Sequence, residues 1–309
     1  MPFRSPDSDF LRTLAIGIVD AGNSIIEVDR AAEVNVGEGH RSIQTQADKN
    51  SAYIIIETLS GFPEARILCE DPSADMRVVS RETGSQILSG PCGCVVDPLD
   101  GTTLFAGGYP DWSVGAGTMT DGRLDGSAIF APQANGGTLC VSSGTEGVFV
   151  SEGFGPFDAV KRLSPVDRKK SVILRGVDTE LYAKVLGIMP NVAANVRGVY
   201  TQGSGLFGLM SLILGRAAAI IQTPQKAWDW VPAYHALTRV GGVFRFFRIC
   251  DGDLVTIVSF DKYAFDYAKA NRLGFIAGEP GAVDWLFDLL PRSGWERCNP
   301  ETVQASSIA

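Results

Sequence analysis

The chain has 309 residues, 45% of them apolar, and a formal net charge of −8 at pH 7. That is apolar material for one large or two medium cores, and the acidity excludes any overall attraction to nucleic acid or to an anionic membrane. No apolar run approaches the roughly 20 residues a membrane-spanning helix needs, and Met1 to Asp7 lacks the apolar stretch of a signal peptide, so a cytoplasmic protein is expected. The six cysteines (Cys69, Cys92, Cys94, Cys140, Cys250, Cys298) form no C-x-x-C pair and read as reduced thiols. Cys92 and Cys94, two apart, read as one packed face of a strand.

Apolar positions Leu11, Leu14, Ile18, Ala21 and Ile25 predict an amphipathic helix over 8–28. A polar loop over 34–46 carries His40 and Arg41; solvent exposure is the simpler reading of both. A second helix over 48–60 stops at Gly61-Phe62-Pro63, and a short strand, 66–69, runs into Glu70-Asp71-Pro72. Next comes Cys94-Val95-Val96-Asp97-Pro98-Leu99-Asp100-Gly101-Thr102-Thr103, an apolar run ending on two carboxylates and a Gly-Thr-Thr that opens a helix. Runs at 112–120, 123–131, 137–141 and 147–150, broken by Asp-Gly and Gly-Gly, predict an antiparallel meander.

The pattern changes near 150–165, so an α+β domain over 1–155 and an α/β domain over 156–309 are expected. Strand 171–175, helix 179–187, strand 196–200, helix 205–214 and strand 217–222 alternate. A helix over about 230–240 closes on Gly241-Gly242; His235 within it reads as packing. Strands near 243–247, 254–259 and 275–277, a helix over 281–290 and a polar tail over 291–309 complete the chain.

Four acidic spots sit where elements begin or end: Asp48, Glu70-Asp71, Asp97 with Asp100, and Asp229. Side chains converge at such ends, and carboxylates with a backbone carbonyl make the oxygen shell that Mg²⁺ prefers. A helix N-terminus beside them offers N–H groups to an anion. Cations next to an anion cradle point to phosphoryl chemistry, and an acidic phosphate-handling protein must draw its positive charge from metal ions. Taken singly, Asp48 and Asp229 read as helix caps and Glu70-Asp71 as a solvated turn. Asp97, ending an apolar strand against Gly-Thr-Thr, has no such structural reason. A haloacid-type Asp-x-Asp-Gly-Thr nucleophile is improbable: two residues separate the acids here, which on a regular strand turns the second to the other face.

The order of these motifs resembles the inositol monophosphatase superfamily of metal-dependent, lithium-sensitive phosphatases. The resemblance spans most of the chain, with Asp97-Pro98-Leu99-Asp100-Gly101-Thr102-Thr103, Phe105, and Trp228-Asp229 through Gly241-Gly242 its most specific parts. It implies a layered αβαβα sandwich, commonly a homodimer, with two or three Mg²⁺ ions. Glu70, Asp97 and the Leu99 carbonyl match the first metal's ligands; Asp97, Asp100 and Asp229 match the second's. Asp48 and Thr102 match the pair that orients the attacking water, and Gly101, Thr102 and Thr103 are expected to hold phosphate oxygens. Glu70 is thus expected to serve both catalysis and metal binding.

The chain departs from the family pattern at four positions. Asp71 replaces the second Glu of a Glu-Glu pair, Leu104 stands where Asn is usual, and Ala52 where many members carry Glu. Gln222 takes the place of a Glu that grips inositol hydroxyls; Gln still hydrogen-bonds but carries no charge. Ser204, between Gly203 and Gly205, is expected to line the same pocket. The function implied is hydrolysis of a small cyclitol or sugar phosphomonoester by metal-activated water, with no nucleic-acid or membrane partner. Alternatives are fructose-1,6-bisphosphatase, histidinol-phosphate or nucleoside 3′,5′-bisphosphate phosphatase activity, or a non-catalytic relative that binds a phosphorylated ligand or a protein.

Overall fold

The computed structural model describes residues 9–28, 35–36, 43–71, 75, 77–78, 91–163, 171–176, 187–250, 253–257, 270 and 273–290. His40, Arg41, Pro165, Cys298, the tail over 291–309 and all but the last residue of the helix expected over 179–187 lie outside them.

Helix α1 (Asp9–Ile26) buries Leu11, Leu14, Ile18, Ala21 and Ile25, the stripe its spacing foretold. Strands β1 (Asn35–Val36) and β2 (Ile43–Gln44) pair antiparallel and lead into α2 (Gln46–Thr58). A seven-stranded sheet follows in spatial order β3 (Arg66–Cys69), β4 (Gly93–Asp100), β5 (Ser113–Thr120), β6 (Arg123–Ala131), β7 (Thr138–Ser143), β8 (Gly147–Glu152), β9 (Asp158–Val160). β3 and β4 run parallel, and the rest form the expected meander. The β5–β6 turn is Asp121-Gly122, both at positive φ (50° and 73°), the geometry that suits the twist of a two-residue hairpin. Between β4 and β5 lies the short α3 (Thr102–Ala106).

The second sheet has the order β11 (Gly198–Gln202), β10 (Val172–Gly176), β12 (Ala219–Gln225), β15 (Leu273–Gly278), β13 (Val243–Cys250), β14 (Asp253–Ile257). Its first three strands are parallel and the others antiparallel. Helices α4 (Met189–Asn195), α5 (Gly205–Ile213), α6 (Val231–Arg239) and α7 (Pro280–Leu289) flank it. α4 was not anticipated; seven residues are too few to display a 3.6-residue period.

Among the described residues, three apolar cores separate five layers. One joins α1 and α2 to the first sheet through Leu14, Ile55, Val96 and Phe130. A second lies between the sheets, where Val95 and Ile129 meet Leu206, Trp230, Leu237 and Phe275 from α5, α6 and the second sheet. The third packs α4 and α7 on the outer face through Val192, Ile221, Ile276 and Leu286. The result is the αβαβα sandwich, and its middle core draws residues from both halves of the chain. α5 and α6 approach the first sheet closely because β5 carries glycines where they meet: a Cβ on Gly115 would lie 2.5 Å from Leu206 Cδ1, and one on Gly117 3.3 Å from the Pro232 Cα. His235 on α6 bonds through Nδ1 with Ser142 Oγ (2.8 Å), a packing role.

One reading needs correction. Cys94 is buried in β4, but Cys92 precedes the strand, half-buried with its Sγ 3.7 Å from Glu64 Oε1, so the two share no strand face. No described helix is long and apolar enough to cross a membrane.

Candidate metal centre

The site forms where β3, β4 and the turn after β12 end against one another. Glu70 follows β3, its N–H bonded to the Val96 carbonyl (3.2 Å), which continues the β3–β4 ladder and sets Glu70 beside Asp97. On β4, Asp97 pairs with Gly115 while Asp100 pairs with Ser113, so that two residues, Pro98 and Leu99, lie against one, Val114. That bulge, at Pro98-Leu99 where proline has no N–H to give, undoes the alternation expected of a regular strand. The residues opposite, Gly115 and Ser113, share a face, so Asp97 and Asp100 both turn toward α5 and α6. The second acid, expected on the other face of a regular strand, is brought to the same face as Asp97 by this extra residue.

Asp229 ends a single 3₁₀ turn, Ala227–Asp229, and its Oδ2 accepts the Lys226 N–H (2.8 Å). One oxygen each from Glu70, Asp97 and Asp229 lies within 4.8 Å of the others. Three parts of the chain separated by up to 159 residues thus converge, as their positions at element ends suggested. Asp97 is fully buried; its Oδ1 accepts the Leu99 N–H (3.1 Å), and Oδ2 has no hydrogen-bond partner among the described residues. Burial, then the like charges of Glu70, Asp100 and Asp229, push the Asp97 carboxyl well above its ordinary value. Asp229 is raised too, by burial and then by Glu70 and Asp100. Mutually repelling carboxylates, one of them with an orphaned buried oxygen, are what a hard divalent cation would satisfy, and the donor set fits one.

Asp100 does not join that cluster. Its Oδ2 accepts from Ser204 Oγ (2.5 Å) and Leu206 N (2.6 Å), and its Oδ1 from Gly205 N (3.2 Å). The acid caps the start of α5, where free amides and the helix dipole favour an anion. Burial raises its pKa to about 6 against the pull of these bonds. Ser204 is fully buried and is the N-cap of α5, accepting from Phe207 N (3.1 Å). Its hydroxyl is engaged with Asp100 rather than with an open pocket.

Asp48 is not the N-cap of α2; that residue is Thr45, whose N–H and hydroxyl donate to Asp48 Oδ2 (2.7 and 2.6 Å). Oδ1 faces Thr102 Oγ1 (2.9 Å), which lies equally near the Leu99 carbonyl (2.9 Å), so Asp48, Thr102 and Leu99 form one hydrogen-bonded group. Burial raises the Asp48 carboxyl, and the bonds from Thr45 and Thr102 oppose the rise. Ser51, which the sequence did not single out, ties α2 to the bulge by donating to the Pro98 carbonyl (2.6 Å).

Gly101 turns the chain into α3 at φ 92°, with little room for a side chain: a Cβ would sit 3.1 Å from Ser204 Cβ. Thr102 is half-buried and Thr103 exposed at the start of α3. Leu104 packs over Gly203, whose Cβ would meet it at 2.9 Å, Ala52 is buried in the α1–α2 core, and Asp71 accepts from Gln44 Nε2. The Gln222 carboxamide lies across Gly176, buried, with Oε1 unpartnered among the described residues.

The sequence also missed Lys226. Its Nζ reaches Glu70 Oε1 (3.3 Å) and stands 5.2 Å from the centre of the Trp228 ring. A lysine three residues before an aspartate carries no signal of its own; the partner lies 156 positions away.

Comparison with known proteins agrees with this architecture. The putative Nus factor SuhB of Neisseria meningitidis serogroup B is 22% identical over 203 residues, 64% of this chain and 71% of the relative. The extragenic suppressor protein suhB of Bartonella henselae superposes with a TM-score of 0.72 at 21% identity, covering 92% of this chain and 99% of that one. A staphylococcal inositol monophosphatase-1, solved as a LiCl-soaked inhibitory complex, also gives 0.72 at 16% identity, covering 95% and 98%. The family model described as "Inositol monophosphatase family" matches residues 7–266. With its five layers, its acidic centre and this match over most of its length, the chain belongs to the inositol monophosphatase family.

Proposed function

We propose that the protein hydrolyses a small phosphomonoester, a cyclitol or sugar phosphate, with Mg²⁺ as the required ion. The observation that carries this reading is the buried Asp97, one of whose oxygens has no hydrogen-bond partner among the described residues, clustered with Glu70 and Asp229 within 4.8 Å. Glu70, Asp97, Asp229 and the Leu99 carbonyl would hold the ions, with Asp100 behind them at the start of α5. Divalent ions bound there supply charge neutralisation and polarisation of the phosphoryl oxygens. The chain's own residues do the rest. Thr102, its hydroxyl proton drawn toward Asp48, offers its oxygen lone pairs to orient a water, and Asp48 can take up the proton released. The amides of Gly101, Thr102 and Thr103, at the bend that opens α3, would hold phosphate oxygens, and the missing Cβ of Gly101 would permit close approach. Gln222, neutral and folded on Gly176, argues for a substrate other than inositol monophosphate.

A test is release of inorganic phosphate from a panel of sugar, inositol, histidinol and nucleoside phosphates, with Mg²⁺ and with EDTA. Turnover that requires Mg²⁺ and vanishes with EDTA is expected, fastest on a monophosphate. Preference for a bisphosphate would move the reading to that class. The relatives named as Nus factors favour a second reading, a role through partner binding without turnover. Absence of phosphate release with every substrate and metal would decide for it.

A further inference from the structure

Lys226 has no part in the reading above, yet it is tied to two of the three clustered acids. Its backbone N–H donates to Asp229 Oδ2 (2.8 Å) and its ammonium lies 3.3 Å from Glu70 Oε1. Glu70 offers that carboxylate to the cluster with Asp97 and Asp229, so one group faces both a tethered monovalent cation and the place a divalent ion would take. The lysine side chain is 42% exposed and that of Glu70 26%, so the pair sits at the rim of the centre, where the ammonium can leave without entering the core. Its face-on position over the buried Trp228 ring gives it a second place to rest when Glu70 is taken.

We propose that Lys226 is a displaceable internal counter-cation that competes with the divalent ion for Glu70 and thereby sets the affinity of the centre. The inference rests on the metal-binding reading above. Without a divalent ion, the ammonium offsets part of the repulsion among Glu70, Asp97 and Asp229. When an ion binds, the Lys226–Glu70 contact breaks, and the ammonium, still held near by its backbone, opposes the incoming charge. Both effects lower affinity, so the centre loads only at higher ion concentration than the same acids would need alone.

The test is calorimetric titration of Mg²⁺ into the full-length, EDTA-stripped protein and its variants, with no substrate present. Lys226→Gln keeps a polar side chain but removes the charge, and should bind Mg²⁺ about three- to tenfold more tightly than the parent. Lys226→Arg, whose planar fork grips a carboxylate through two bonds, should bind it more weakly than the parent. Thermal unfolding in EDTA should show Lys226→Gln melting below the parent, with the gap closing in saturating Mg²⁺. Equal or weaker Mg²⁺ affinity in Lys226→Gln overturns the proposal. Should that variant not fold, equal or tighter binding by Lys226→Arg does so. A parent protein that takes up no Mg²⁺ overturns the metal-centre reading itself, and this proposal with it.

Discussion

Asp97 carries the conflict on which the site depends: fully buried, surrounded by like charges and with one oxygen unpartnered among the described residues. Replacing it with asparagine removes a metal ligand and a disfavoured buried charge together. Asp97→Asn should therefore abolish Mg²⁺-dependent phosphate release while raising the stability of the EDTA-treated protein by about 1–3 kcal/mol. Near-normal turnover would show that Asp97 is not a ligand. This residue was legible in the sequence because an acid closing Cys-Val-Val against Gly-Thr-Thr has no local use. Lys226 and Ser51 were not, since their partners, Glu70 and the Pro98 carbonyl, lie 156 and 47 residues away.

At the scale of elements, the start of α5 and the bend before α3 hold the site's geometry. Ser204 both caps α5 and donates to Asp100, so Ser204→Ala should cost about 1–2 kcal/mol in denaturant unfolding. Losing that bond should also move the Asp100 carboxyl upward from about 6, visible by NMR titration; an unmoved value would mean the bond contributes nothing. Gly101→Ala forces a side chain into a left-handed residue at φ 92° and toward Ser204, a strain of about 1–3 kcal/mol. Its phosphate release should fall by more than its Mg²⁺ affinity, because the bend aims the α3 amides rather than the acids. The strands and helices around these points were readable from hydrophobic period, but the β4 bulge was not. A one-residue offset between strands leaves no trace in either strand's own pattern.

For the whole molecule, the raised carboxyls make stability depend on pH and on metal. Asp100 moves from 3.8 to about 6, and Asp48, Asp97 and Asp229 rise as well. A raised acid holds its proton more tightly in the folded state. The metal-free protein therefore gains stability from these groups below their unfolded values and loses it as pH climbs through the folded ones. Asp100 alone accounts for about 3 kcal/mol of this change. Divalent ions need the ionised forms, so their stabilisation grows over the same range. Melting in EDTA should fall from pH 5 to pH 7.5, and saturating Mg²⁺ should stabilise far more at the upper pH. A metal-free protein that gains stability over that interval, by an amount Asp97→Asn does not alter, would contradict the site's electrostatics.

The residues alone determined the fold class, the order of most elements and which acids sit where elements end. Those features are local: a hydrophobic period, a turn dipeptide and a motif are written in consecutive positions. Only the tertiary structure decided how the acids are arranged. It gathered Glu70, Asp97 and Asp229, turned Asp100 to the head of α5, folded Ser204 and Gln222 inward, and set Lys226 against Glu70. Each outcome depends on distances between residues far apart in the chain, which strand register and layer packing fix and no single segment encodes.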